Sequence, residues 1–270
     1  MITLDGIFSY PVKSCRAVEH DSATVTAAGL EHDREWMFVT PDRRFITQRD
    51  APRLALVQPA LGDGALRLSA DGAGEVAVPL DHPGTGTSVV VWDDRCAAFD
   101  QGDAVADWIS SLLGRELRLV RFDPATPRPS SAVWTGDVRA LNRFSDGFPL
   151  LAISQGSLDD LNTRLPAPLP MDRFRPNLVL GGLPAYGEDE LHDIVSGGVR
   201  LRRVKPCVRC VITTTDQRTG DRGGDEPVAT LKAYRWNAQL RGVAFGQNVI
   251  VVEGSGGRLF RGQTFAATDA

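Results

Sequence analysis

Cys207 and Cys210 stand in the stretch "KPCVRCVITTTDQRTG", which runs from Lys205 to Gly220. Thiols at that spacing serve as half of a metal clip, as a redox dithiol, as a single nucleophile or soft metal ligand, or merely as buried apolar filler. A structural zinc site draws four ligands, commonly two such pairs or one pair with two suitably spaced histidines. The chain has four cysteines, Cys15, Cys96, Cys207 and Cys210, and its histidines, His20, His32, His82 and His192, form no matching pair. That argues against zinc. A thioredoxin-type dithiol opens a helix, whose dipole favours the thiolate. Here Cys210 runs into Val211, Ile212, Thr213, Thr214 and Thr215, a β-branched run that reads as a strand and speaks against the dithiol. Two readings stay open on these residues alone. One is a single thiolate stabilised by the flanking Lys205 and Arg209; the other is two buried cysteines at a strand start.

The elements that must hold these thiols are mostly strands. Short apolar and β-branched runs recur: "MITLDGIFSY", "ATVTA", "WMFVT", "LALVQP", "LRLSA", "SVVVW", "LRLVRF", "LVLGG", "VRLRRV", "CVITTT" and "NVIVVE". Their lengths and bounding Gly, Pro and Asp suit antiparallel barrels or sandwiches better than βαβ alternation. Two helices are legible. In "GDAVADWISSLLG", Val105, Trp108, Ile109, Leu112 and Leu113 share a face, with Asp103 expected to cap the start and Gly114 the end; Trp108 then belongs to the core. In "SQGSLDDLNTRL", Ser157 and Asp160 resemble a capping box. The segment Phe122 to Asn142 is rich in Pro, Ser and Thr without periodicity and reads as a linker or long surface loop. A boundary at its start gives units 1–122 and 123–270.

Composition narrows the function class. The chain of 270 residues is 42% hydrophobic and 24% charged, close to globular averages, with a formal charge of −4. No global positive field exists to hold nucleic acid or an anionic membrane, although a local basic pocket is compatible with that balance. The N-terminus shows no charged and apolar leader pattern, and no apolar run approaches the ~18 residues of a membrane span. The expectation is a cytoplasmic protein with reduced thiols.

Seven blocks in order carry a resemblance: "YPVKSC" (Tyr10 to Cys15), "HDREWMFV" (His32 to Val39), "FSDGFPLLAIS" (Phe144 to Ser154), "FRPNLVL" (Phe174 to Leu180), "CVRCVITTTD" (Cys207 to Asp216), "EPVATLKAYR" (Glu226 to Arg235) and "FGQN" (Phe245 to Asn248). Over nearly its whole length the chain resembles the MOSC family, specifically its members with an N-terminal MOSC β-barrel domain, amidoxime-reducing components among them. The resemblance implies a mostly β (α+β) fold, with an N-terminal barrel-like domain and a C-terminal MOSC barrel. It also implies a molybdenum cofactor held through its pyranopterin, with one protein cysteine on the metal. In the family motif that ligand is the second cysteine of the pair, here Cys210.

Other assignments follow the same blocks. Lys13, Ser14 and Arg34 suit the cofactor's phosphate, and Arg175 and Asn177 suit the pterin. Ser145 and Asp146 fall near the metal, with Asp146 a proton relay for a two-electron reduction. Arg209 is a cofactor-binding candidate that tunes the thiolate, and Cys207 a supporting neighbour. Cys15 and Cys96 read as packing residues. Arg53, in "QRDAPRL", lies in a family-like block with no role attached. The implied activity is reduction of small N-hydroxylated compounds such as hydroxylamines, amidoximes and N-hydroxy bases. No cysteine follows Cys210, so the expected electron source is a separate protein: a ferredoxin, flavodoxin or reductase. The rival reading is a molybdenum-cofactor or sulfur carrier without turnover.

Overall fold

The computed structural model describes residues 1–268. Seven strands close into a barrel: Leu150–Ser154, Leu178–Gly181, Ile2–Ser9, Thr264–Thr268, Asp193–Ser196, Val199–Val208 and Gly242–Glu253, the last pairing back onto the first. Alternation does the local work, since in each strand every second side chain points inward. Leu4, Ile7, Leu150, Leu180, Leu201 and Val251 meet in the interior. Each such side chain contributes about 1.5–3 kcal/mol on full burial. One parallel pair interrupts the antiparallel order: Leu150–Ser154 leads through the helix Gln155–Arg164 to Leu178–Gly181. The first strand of the chain thus closes a barrel whose six other strands lie beyond residue 149. The two halves are woven together at Ile2–Ser9.

Two further sheets build the other lobe. Trp36–Val39, Arg118–Phe122, Asp94–Asp100 and Thr85–Val91 form a sheet in that order, and Gln58–Gly62, Ala65–Ala70 and Gly74–Pro79 form a meander. The helix Asp103–Leu113 packs Val105 and Ile109 into the same core as Trp36, Phe38, Leu66 and Leu68. Trp108 packs partly buried against that core, and its indole N–H donates to the carbonyl of Ala73 at 2.9 Å. The mostly β architecture with few helices agrees with the sequence.

Several local expectations are corrected. Asp103 is the first helical residue rather than the cap; Gly102 occupies the cap position at φ 92°, and its N–H donates to the carboxylate of Asp100. Gly114, at φ 65°, ends the helix as expected. The second helix is capped by Ser154, whose hydroxyl accepts from the N–H of Ser157. Asp160 instead pairs with Arg164. The start moves back because buried Glu188 accepts the hydroxyls of both Ser154 and Ser157, which fixes Ser154 at the strand end. Leu54–Leu56 of "LALVQP" belong to a 3-10 turn, Pro52–Leu56, that begins on a proline. The segment after Phe122 is anchored rather than free: Arg128 is buried, and its guanidinium donates to the Asn142 side chain and to the Ser145 carbonyl. No helix among the described residues is long and apolar enough to cross a membrane.

Candidate functional site

A cavity of about 170 Å³ opens between the lobes. Lys13, Ser14 and Arg34 reach it from the N-terminal blocks, and Ser145, Asp146, Arg175, Asn177, Arg209 and Cys210 from the later ones. Strain marks several of these contributors. Ser14 (φ 68°), Arg34 (φ 46°) and Arg175 (φ 57°) are non-glycine residues in the left-handed region. Such backbone persists where surrounding structure over-determines it, typically at binding sites.

The blocks "YPVK", "HDR" and "FRPN" hold one another. Buried Asp33 accepts from the N–H of Tyr10 at 2.8 Å and from Arg34. The guanidiniums of Arg34 and Arg175 each lie 4.2 Å from the centre of the Tyr10 ring. Tyr10 donates its hydroxyl to the carbonyl of Pro176 at 3.0 Å, and burial pushes its phenol up to about 12 against the pull of the two arginines. Asn177 is spent on the protein. Its side-chain oxygen accepts from Arg34 and from the N–H of Leu151, and its amide nitrogen donates to the carbonyl of Phe8. It therefore fixes Arg34 and ties three barrel strands together. Ser145 turns its hydroxyl down to Asn142 at 3.1 Å.

The cysteines leave the barrel through a distorted strand. Val199–Val208 pairs with Gly242–Glu253, and its register shifts between Arg203 and Lys205 and again between Pro206 and Val208. Bulges re-aim a chain, and Pro206 is tolerated at such a break. The "FGQN" block supports the distortion. Asn248 donates to the carbonyls of Lys205 and Pro206. Gly246 has φ 78°, and a Cβ there would lie 2.5 Å from a side-chain carbon of Ile153. Phe245 packs its ring 4.4 Å from that of Phe174.

After Cys210 the expected strand is absent: Val211–Thr214 is a 3-10 turn. The threonine hydroxyls explain the difference, since Thr213 and Thr214 donate to the carbonyls of Cys210 and Val211. The two thiols then differ in partner. Cys207 receives Arg209 at 3.1 Å and packs on the apolar cluster that contains Phe174 and Phe245. Cys210 faces the cavity and receives Arg49, from the other lobe, also at 3.1 Å. Cys15 and Cys96 are buried in separate cores, and burial pushes both thiols up, as packing residues require.

Charges on the cavity wall are unevenly compensated. Lys13 donates to the carbonyl of Phe144 at 2.7 Å and to the carboxylate of Asp146 at 2.5 Å. Arg49 approaches the same carboxylate at 3.9 Å, and the indole N–H of Trp92 donates to it at 3.3 Å. Burial raises Asp146, but Lys13, Arg49 and Trp92 outweigh it and hold the carboxyl well below the usual range. Burial lowers Lys13, which Asp146 partly restores. Of the cavity's five cationic side chains, Arg175 and Arg209 meet no carboxylate within ion-pair distance among the described residues. Burial, with the charge of Arg34 adding to it, pulls Arg175 down to about 10. Nε of Arg209 is buried without a partner among the described residues. This donor set, with the half-buried thiols of Cys207 and Cys210 on the same wall, fits an anionic ligand that carries a soft metal.

Two family models match the chain in order. The model of the MOSC N-terminal beta barrel domain matches residues 1–116, and that of the MOSC domain matches residues 141–266. Mitochondrial amidoxime-reducing component 1 of Mus musculus is 35% identical over 242 residues, covering 86% of this chain and 71% of that protein. The chain belongs to the MOSC family. Mitochondrial amidoxime-reducing component 1 of Homo sapiens is 36% identical over 243 residues, with 86% and 72% covered. Mitochondrial amidoxime reducing component 2 of Rattus norvegicus is 37% identical over 247 residues, with the same coverage of 86% and 72%.

At this MOSC site, sequence reasoning missed Arg49, on the cavity wall, and Trp92, which donates to Asp146. Arg53, singled out in "QRDAPRL", is exposed, and its Cα backs onto Gly220 away from the cavity. Arg49 of the same block is the one aimed inward, and Arg222 fixes its backbone by donating to the carbonyls of Gln48 and Arg49. The available signal was the polar run Thr47 to Asp50 ahead of Pro52, where Thr47 and Asp50 close a turn on each other.

Proposed function

We propose that the chain is a molybdenum-cofactor oxidoreductase that reduces N-hydroxylated compounds, with the metal held by Cys210. The observation that carries this is the cavity's charge balance: two thiols, of which Cys210 receives Arg49 while Cys207 packs on the apolar cluster, stand among five cations, two of them without a carboxylate among the described residues. Among the described residues no three His, Cys, Asp or Glu side chains gather as a metal cage. One thiol therefore suits a metal that arrives with its other ligands already in place. In this reading Ser14, Arg34, Arg175 and Arg209 bind the anionic cofactor, and Asn177 orients Arg34. When bound, the cofactor supplies the two-electron chemistry.

The remaining steps belong to side chains. Cleaving an N–O bond to an amine and water consumes two electrons and two protons. Lys13 Nζ holds a proton 2.5 Å from Asp146 Oδ1, so a relay through Asp146 starts from the ammonium and passes to the carboxylate. Trp92 and Arg49 fix that carboxylate. Electrons come from a separate ferredoxin, flavodoxin or reductase. The curated relatives are named as mitochondrial, whereas a cytoplasmic setting is part of this proposal.

Protein from a cofactor-competent host, given a reduced dye, is expected to oxidise it when benzamidoxime is added. Bound molybdenum without turnover under any donor supports the carrier reading instead, and protein that never acquires molybdenum overturns both.

A further inference from the structure

Trp92 stands where its side chain is least at home. Register pairs Val91 with Asp94, so the strands Thr85–Val91 and Asp94–Asp100 are joined by the two-residue turn Trp92–Asp93. Tight hairpin turns favour Gly, Asn or Asp where φ is positive, yet Trp92 has φ 56°. Its side chain is 45% exposed. A bulky residue placed against turn preference and against burial marks a functional constraint.

The indole is nonetheless held firmly. Phe45 meets it edge-on at 5.0 Å, and the guanidinium of Arg49 lies 5.0 Å from the ring centre. The indole N–H donates to Asp146 at 3.3 Å. These contacts fix the ring beside Asp146 and beside Arg49, which donates to Cys210, and Phe148 places an aromatic group on the cavity wall itself. We infer that Trp92 is a specificity-determining residue, the aromatic edge of the substrate entrance, which selects planar conjugated N-hydroxy compounds over small aliphatic ones. A flat π-system stacks on the exposed indole and presents its N–O group towards Cys210. The inference rests on the reductase reading for its substrate class, not for the existence of the aromatic surface.

The test compares benzamidoxime with N-methylhydroxylamine in molybdenum-loaded wild type, Trp92→Phe and Trp92→Leu. In Trp92→Leu, kcat/KM for benzamidoxime is expected to fall about fivefold to tenfold further than kcat/KM for N-methylhydroxylamine, any loss shared by the two substrates reporting the N–H taken from Asp146. Trp92→Phe, which keeps a ring but loses the N–H, is expected to retain most of the preference. Equal losses on both substrates in both variants overturn the inference, because they assign Trp92 to holding Asp146 alone. A binding titration separates this from the reductase reading. In cofactor-free protein benzamidoxime is expected to quench tryptophan fluorescence in wild type and not in Trp92→Phe, whether or not turnover occurs. Identical quenching in the two proteins, or none in wild type, overturns the aromatic entrance.

Discussion

Around Asp146, cations meet a carboxylate: Lys13 and Arg49 converge on it, and Trp92 adds an N–H. Around Tyr10 only one of the two does: Arg34 has Asp33, but the guanidinium of Arg175 shares the ring and, among the described residues, finds only the amide oxygen of Gln217 at 3.2 Å. The same residue types are thus set up for different work. A compensated cluster is ready before any ligand arrives and suits proton handling. An uncompensated guanidinium is costly without a ligand and gains when an anion docks.

The comparison breaks most visibly at Lys13. Lys13→Met removes the proton-holding ammonium, and kcat is expected to fall roughly 10²–10⁴-fold with cofactor still bound, the usual range for a general acid or base. Retained turnover in cofactor-loaded Lys13→Met places proton delivery elsewhere. Asn177→Ala leaves the carbonyl of Phe8 and the N–H of Leu151 without their side-chain partner, so thermal or urea unfolding is expected to show a loss of about 2–4 kcal/mol. A loss below about 1 kcal/mol contradicts its supporting role.

Arg175→Met sharpens the other side. Cofactor retention is expected to weaken roughly 10–100-fold, the scale of a supporting ligand lost from a metal site, while the Tm of cofactor-free protein holds or rises. A falling Tm makes Arg175 a structural cation. The smallest effect is electrostatic. Because Asp146 is depressed in the folded protein, its contribution is present above the unfolded value of ~3.9 and is lost as pH falls through the folded value. Wild-type Tm is therefore expected to drop slightly more steeply than that of Asp146→Asn below about pH 4, and the two curves to run parallel from about pH 5 to 8. The effect is small because the Asp146 side chain, although its carboxyl lies within the cleft, is 56% exposed.

Much of the fold was legible because strand periodicity and bounding turns are local signals. What escaped depended on side-chain partners rather than on periodicity. Ser154 caps its helix because Glu188 holds it, and Val211–Thr214 coil into a 3-10 turn because threonine hydroxyls find carbonyls three residues back. In the candidate site the residue blocks pointed to the right segments, but not to which arginine of "QRDAPRL" turns inward. That choice is made by Arg222, some 170 residues away, gripping the backbone at Arg49. Trp92 escaped because a hairpin tip gives no periodic signal.

The central claim is the inequality of the two cysteines. Molybdenum per chain, measured on wild type, Cys207→Ser and Cys210→Ser from one cofactor-competent host, tests it directly. The expected result is metal in wild type and Cys207→Ser and none in Cys210→Ser; metal retained by Cys210→Ser, or lost from Cys207→Ser alone, contradicts it.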